Sequence, residues 1–127
     1  GDVARGAKLI EAVKGRMIVL SGDDESALAL MRHGAKGNIS VTANVAPKIM
    51  SQIFGLALKG EFEQAEALNQ KIAHLHQDLF IESSPIPAKY ALHKMGHIEQ
   101  GIRLPLTWLT PEHQQVMDEA LAKAGLL

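Results

Sequence analysis

Apolar positions change their spacing repeatedly along this chain, and each change marks an element. From Val3 to Lys14, the residues Ala7, Leu9, Ile10 and Val13 form one helical stripe, with Asp2 placed to cap the helix and Gly15 to follow it. Met17 to Leu20 is a short unbroken apolar run that stops at Ser21-Gly22, which predicts a buried strand. Asp23 and Asp24 come next and suit the start of a helix carrying Ala27, Leu28, Leu30 and Met31 as far as Gly34. A second short run, Asn38 to Val41, ends in Thr42-Ala43-Asn44. Strand, acidic loop, helix and strand make one βαβ unit, whose crossover is right-handed in nearly all proteins. Ligand sites of parallel α/β folds lie beyond the carboxyl ends of strands. Gly22, Asp23 and the Ile39–Asn44 turn are therefore expected on the edge where chemistry occurs.

After this unit the period is helical throughout. Pro47 suits the first turn of a helix running to about Lys59 and stopped by Gly60. Ala65, Leu68, Ile72, Leu75 and Leu79 recur at three- and four-residue steps, predicting one long helix from Glu61. Ser83-Ser84-Pro85-Ile86-Pro87 breaks it, and a shorter helix follows to Met95 and Gly96. Ile102 to Leu109 reads as an extended connector, and Thr110-Pro111-Glu112 opens a last helix reaching Gly125. Two regions are expected: residues 1–60 around the βαβ unit and residues 61–127 as an all-helical domain. Two strands among about six helices make a poor sheet, since parallel strands need cover on both faces. The remaining strands are expected in sequence beyond these residues, and the lack of an initiating Met agrees with a fragment.

Composition narrows the classes. The 127 residues, 46% of them hydrophobic, are enough for a sizeable core. A net charge of −1 gives no nucleic-acid or anionic-membrane footprint. No apolar run approaches the roughly 20 residues of a membrane span. There is no cysteine, so neither a disulfide framework nor a thiolate metal site is available, which fits a cytoplasmic protein.

Candidate chemistry starts with Asp23 and Asp24, which either cap a helix or meet a polar substrate. The six histidines do not make a metal site: His74 and His76 point to different helix faces, and Gly96 falls between His93 and His97. No metal is expected. The Leu68/Ile72/Leu75/Leu79 stripe is read as core. A nucleophilic lysine needs a desolvated amine, and none of the lysines occupies a strand interior. Lys36, on the crossover, is the one tempting candidate; Lys89, after Pro85-Ile86-Pro87, reads as structural.

The Ser21-Gly22-Asp23-Asp24 loop after an apolar run, followed by GNISVTANVAP from Gly37, closely resembles the dihydrodipicolinate synthases. The likeness continues through FIESSPIPAKYAL, GIRLPLT and the closing AGLL, and so covers essentially the whole chain. It implies an α/β fold: the last two strands of a TIM (β/α)8 barrel, then an all-helical C-terminal domain, together the C-terminal half of a lyase. The implied reaction condenses pyruvate with L-aspartate 4-semialdehyde through a lysine Schiff base, without cofactor. Gly1 resembles the last residue of the family's Lys-Glu-Ala-Thr-Gly stretch, which puts the Schiff-base lysine ahead of Gly1 and leaves residues 1–127 inactive alone. The resemblance assigns the Ile39 carbonyl to the bound pyruvate and Gly22 and Asp23 to the substrate channel. It places Val3, Ala4, Arg5 and His33 at the weaker contact of a homotetramer, a dimer of dimers. The competing readings are another Schiff-base pyruvate aldolase, such as an N-acetylneuraminate lyase, and a non-catalytic helical interaction module.

Overall fold

The structure is a computed structural model and describes residues 1–127. It contains eight helices: α1 Val3–Val13, α2 Ala27–Arg32, α3 Thr42–Val45, α4 Pro47–Leu58, α5 Phe62–Gln70, α6 Ala73–Asp78, α7 Ile86–Lys94 and α8 Pro111–Lys123. No strand forms; one isolated parallel bridge joins Ser21 to Asn38. The expected fold class, two barrel strands followed by helices, is overturned by this architecture. Residues 19–21 and 36–39 run side by side and exchange backbone hydrogen bonds, Lys36 N to Val19 O and Ser21 N to Gly37 O, each 2.9 Å. Neither segment has a further neighbour to continue a ladder, so pairing stops at one bridge. The side chains expected in a buried strand stand in solvent: Met17 is 70% exposed and Ile18 74%.

The chain divides into two compact units, residues 1–40 with 48–70, and residues 41–47 with 71–127. In the first, α1 lies on α2 at close range. A Cβ on Gly6 would stand 2.4 Å from Leu30 Cδ1, so any larger residue would make the Leu30 side chain shift. Asp2 caps α1 as expected, its Oδ1 accepting from Arg5 N at 2.9 Å. Gly34 turns the chain out of α2 with φ +111°, a conformation other residues rarely adopt. Leu28, Leu30, Met31, Met50, Ile53 and Ala65 form this unit's buried interior. Arg32 stacks over the Phe62 ring at 4.6 Å and ties α2 to α5.

In the second unit α6 and α7 each pack on α8. Leu75, Leu79, Met117 and Leu121 are fully buried there. The long helix expected from Glu61 is interrupted at Lys71-Ile72, where Ile72 leaves helical geometry at φ −123° and ψ 5°. Ile72 keeps its place in the buried stripe while becoming the N-cap of α6. The break has no glycine or proline behind it, so tertiary packing overrides helix propensity. The start of α8 is held from outside itself: Glu82 Oε1 accepts from Thr110 N at 3.1 Å, Thr110 Oγ1 at 2.8 Å and His113 Nδ1 at 2.7 Å. These bonds satisfy donors that a helix N-terminus leaves open.

Candidate functional site

The loop from Ser21 to Ser26 is shaped by short-range bonds. Ser21 Oγ donates to Asp23 O at 2.9 Å and accepts from Asp23 N at 3.1 Å, forming a tight serine turn. Asp23 Oδ2 accepts from Ser26 N at 2.9 Å and from the Ser26 hydroxyl. Asp23 therefore closes the turn that leads into α2, whose N-cap position is taken by Ser26 without a side-chain cap, and not by an aspartate as expected. Asp24 does something else. It is 7% exposed, and its Oδ1 accepts from Asn38 Nδ2 at 2.6 Å across fourteen residues of sequence. That pair was not foreseen, since nothing in linear spacing joins a loop aspartate to an asparagine beyond the next helix.

Gly22 and Asp23 open onto a cleft of about 370 Å³, walled by Val3, Leu9, Leu20, Ser26 and Leu30. A Cβ built on Gly22 meets nothing within 4 Å, so the glycine leaves open space over the loop. Ile39 hydrogen bonds through its N to Ser21 O at 2.8 Å, which brings it beside the same loop. Its side chain is 69% exposed rather than packed in a core, because the extended pair has no layer over it.

The four residues expected at a subunit contact come from two elements that pack together, α1 and the end of α2. Val3, Ala4 and Arg5 form the first turn of α1, and Val3 lines the Gly22 cleft. His33 follows α2 and lines a different hollow of about 240 Å³ with Ile10, Lys14 and Lys36. Lys36, the one tempting nucleophile, is thus exposed and lines that second hollow. Lys89 Nζ donates to the Gly101 carbonyl at 3.2 Å.

The histidines are used one at a time. His76, buried, bonds Thr42 Oγ1 through Nδ1 at 2.9 Å. His74 meets the Ala120 carbonyl at 3.0 Å, and His93 meets the Ile98 carbonyl at 3.2 Å. No three His, Asp or Glu side chains converge to hold a metal ion. No helix is long and apolar enough to cross a membrane.

An acidic loop, a glycine-floored cleft and a paired extended segment beside them are features that related chains can be asked to share. The family model described as the Dihydrodipicolinate synthetase family matches residues 1–124, and the chain belongs to that family. Among its relatives, the 4-hydroxy-tetrahydrodipicolinate synthase of Psychrobacter arcticus is 62% identical over the whole chain, which covers 42% of that protein. The synthase of Pseudomonas aeruginosa is 50% identical over the same residues, covering 44% of its length. Among solved structures, the chloride-inhibited dihydrodipicolinate synthase of Acinetobacter baumannii, complexed with pyruvate, superposes with a TM-score of 0.97 at 55% identity. That match covers 99% of this chain and 43% of the other. The Aquifex aeolicus synthase gives a TM-score of 0.94 at 38% identity, covering 98% of this chain and 43% of the other. The chain spans less than half the length of the relatives it matches.

Proposed function

We propose that these residues are part of a lyase that joins pyruvate to L-aspartate 4-semialdehyde and yields 4-hydroxy-tetrahydrodipicolinate, on the route to diaminopimelate and lysine. The supporting observation is the 62% identity to a 4-hydroxy-tetrahydrodipicolinate synthase over the whole chain. In this reading a lysine outside residues 1–127 attacks the keto carbon of pyruvate and, with loss of water, forms an imine. Loss of a methyl proton gives an enamine, whose carbon attacks the aldehyde; the amine of the second substrate then attacks the imine carbon, and the lysine leaves as the ring closes. The lysine serves as electron sink, so no organic cofactor is needed.

The residues here serve that imine without a covalent bond to it. The Ile39 carbonyl accepts from the Schiff-base nitrogen, an acceptor dipole set where positive charge develops. Gly22 and Asp23 form the channel for the second substrate, Gly22 leaving it unobstructed. Val3, Ala4, Arg5 and His33 belong to the weaker contact of a cytoplasmic homotetramer, a dimer of dimers.

Borohydride trapping tests the reading. The intact protein, incubated with pyruvate and borohydride, is expected to carry a reduced secondary amine on a lysine outside residues 1–127. An adduct on Lys36, or no adduct, would overturn the assignment.

A further inference from the structure

We propose that Asp24 and Asn38 are positioning residues of this reaction: their bond locks the Gly22-Asp23 loop to the segment that carries Ile39. The proposal rests on the reading above for what Gly22, Asp23 and Ile39 do. Asp24 directly follows Asp23, and Asn38 directly precedes Ile39, so the 2.6 Å bond between them crosses from one proposed substrate-binding segment to the other. Around it the backbones of the two segments also bond, Ser21 N to Gly37 O at 2.9 Å and Ile39 N to Ser21 O at 2.8 Å. Those bonds fix the register of the pair. The side-chain bond fixes how far the loop tip stands from Ile39.

Two features argue for a positional role over a purely stabilising one. Asn38 Oδ1 is buried without a hydrogen-bond partner. An amide placed only for stability would be disfavoured by that orphan acceptor, and an apolar side chain would avoid it. Turning the amide over would face Oδ1 toward the carboxylate, two acceptors in contact, so Asp24 dictates the orientation. Asp24 is itself almost wholly buried and accepts a charge-assisted bond, which is shorter and stiffer than a neutral one.

A charge swap in the intact protein tests this. Asn38→Asp sets two carboxylates against each other, which cannot both ionise at that distance. Asp24→Asn combined with Asn38→Asp restores one donor and one carboxylate with the polarity reversed. The readout is kcat divided by the fraction of sites that borohydride traps with pyruvate, because partial unfolding lowers both together and leaves the ratio unchanged. Wild-type protein that traps no pyruvate would sink the reading of function and is a separate outcome. Where wild type does trap it, Asn38→Asp is expected to lower the ratio about 100-fold with little change in KM, as displacement by about an ångström does. The swap is expected to recover at least about tenfold of that loss. A wild-type ratio in Asn38→Asp, or a swap no better than Asn38→Asp, overturns the proposal. Should Asn38→Asp not fold, Asp24→Leu alone decides: it is close in size and leaves Asn38 Nδ2 without this acceptor, and an unchanged ratio overturns the proposal equally.

Discussion

The extended pair Met17–Ser21 with Asn38–Ser40 and the helices α6, α7 and α8 are both built from apolar runs, yet they end in opposite states. In the helices, every turn bonds its own backbone, and the apolar stripe needs only another stripe to cover it. Leu75, Leu79, Met117 and Leu121 find that cover among themselves and are fully buried. The extended segments cannot satisfy their backbones alone, and one neighbour each supplies a single bridge. Their Met17, Ile18, Leu20 and Ile39 side chains remain exposed. An element that bonds itself can be completed by a few residues, whereas an element that bonds across needs a whole layer. The residues proposed to meet substrate lie in the second kind of element, and the first kind supplies the rigid packing.

Breaking the buried side of this contrast has the largest effect. Leu75→Ala removes a side chain with no exposure and is expected to cost about 2–5 kcal/mol in urea unfolding. A cost below that of an ordinary surface change would mean that α6 and α8 do not hold each other. On the extended side, Gly22→Val should act on turnover and not on folding. Its Cβ meets nothing within 4 Å of this chain, so the thermal midpoint should hold while kcat/KM of the intact enzyme falls about 100-fold. Normal kinetics in a folded variant would remove Gly22 from the channel.

Smaller effects sharpen the comparison. Bonds from His113, then from the Thr110 hydroxyl and Thr110 N, hold the Glu82 carboxyl below its usual range. A carboxyl depressed on folding adds stability above its unfolded value of about 4.3, and that stability is lost as pH falls through the folded value. Glu82→Gln should therefore flatten the acid limb of the stability–pH curve below about pH 4.5 and leave the neutral region little changed in slope. An acid limb as steep as wild type would show that the carboxylate is not what holds α8. Last, Ile18→Ser in residues 1–127 alone should shift stability by less than about 0.5 kcal/mol, because the side chain is already in solvent. The same change should lower self-association in sedimentation, since exposed apolar edges invite pairing. Association equal to that of the unaltered chain would exonerate this surface.

Helix starts and stops were legible in the sequence wherever the signal was local. Asp2 capping α1, Pro47 opening α4 and Pro111 opening α8 each follow from one or two residues and the fixed geometry of a helix end. The identity of the Ser21–Asp24 loop as the interesting stretch was also local, carried by its motif and by the apolar run before it. Three matters escaped linear reading. The interruption at Ile72 arises from packing, not from a breaker residue. The run at Met17–Leu20 has the composition of a buried strand, but burial depends on partners that composition does not contain. The Asp24–Asn38 bond joins residues fourteen apart and separated by α2. Caps, turns and periodicity are set by residues within about one helical turn of each other. Pairing, cover and cross-loop bonds depend on which distant segments meet, and the tertiary structure alone decided those.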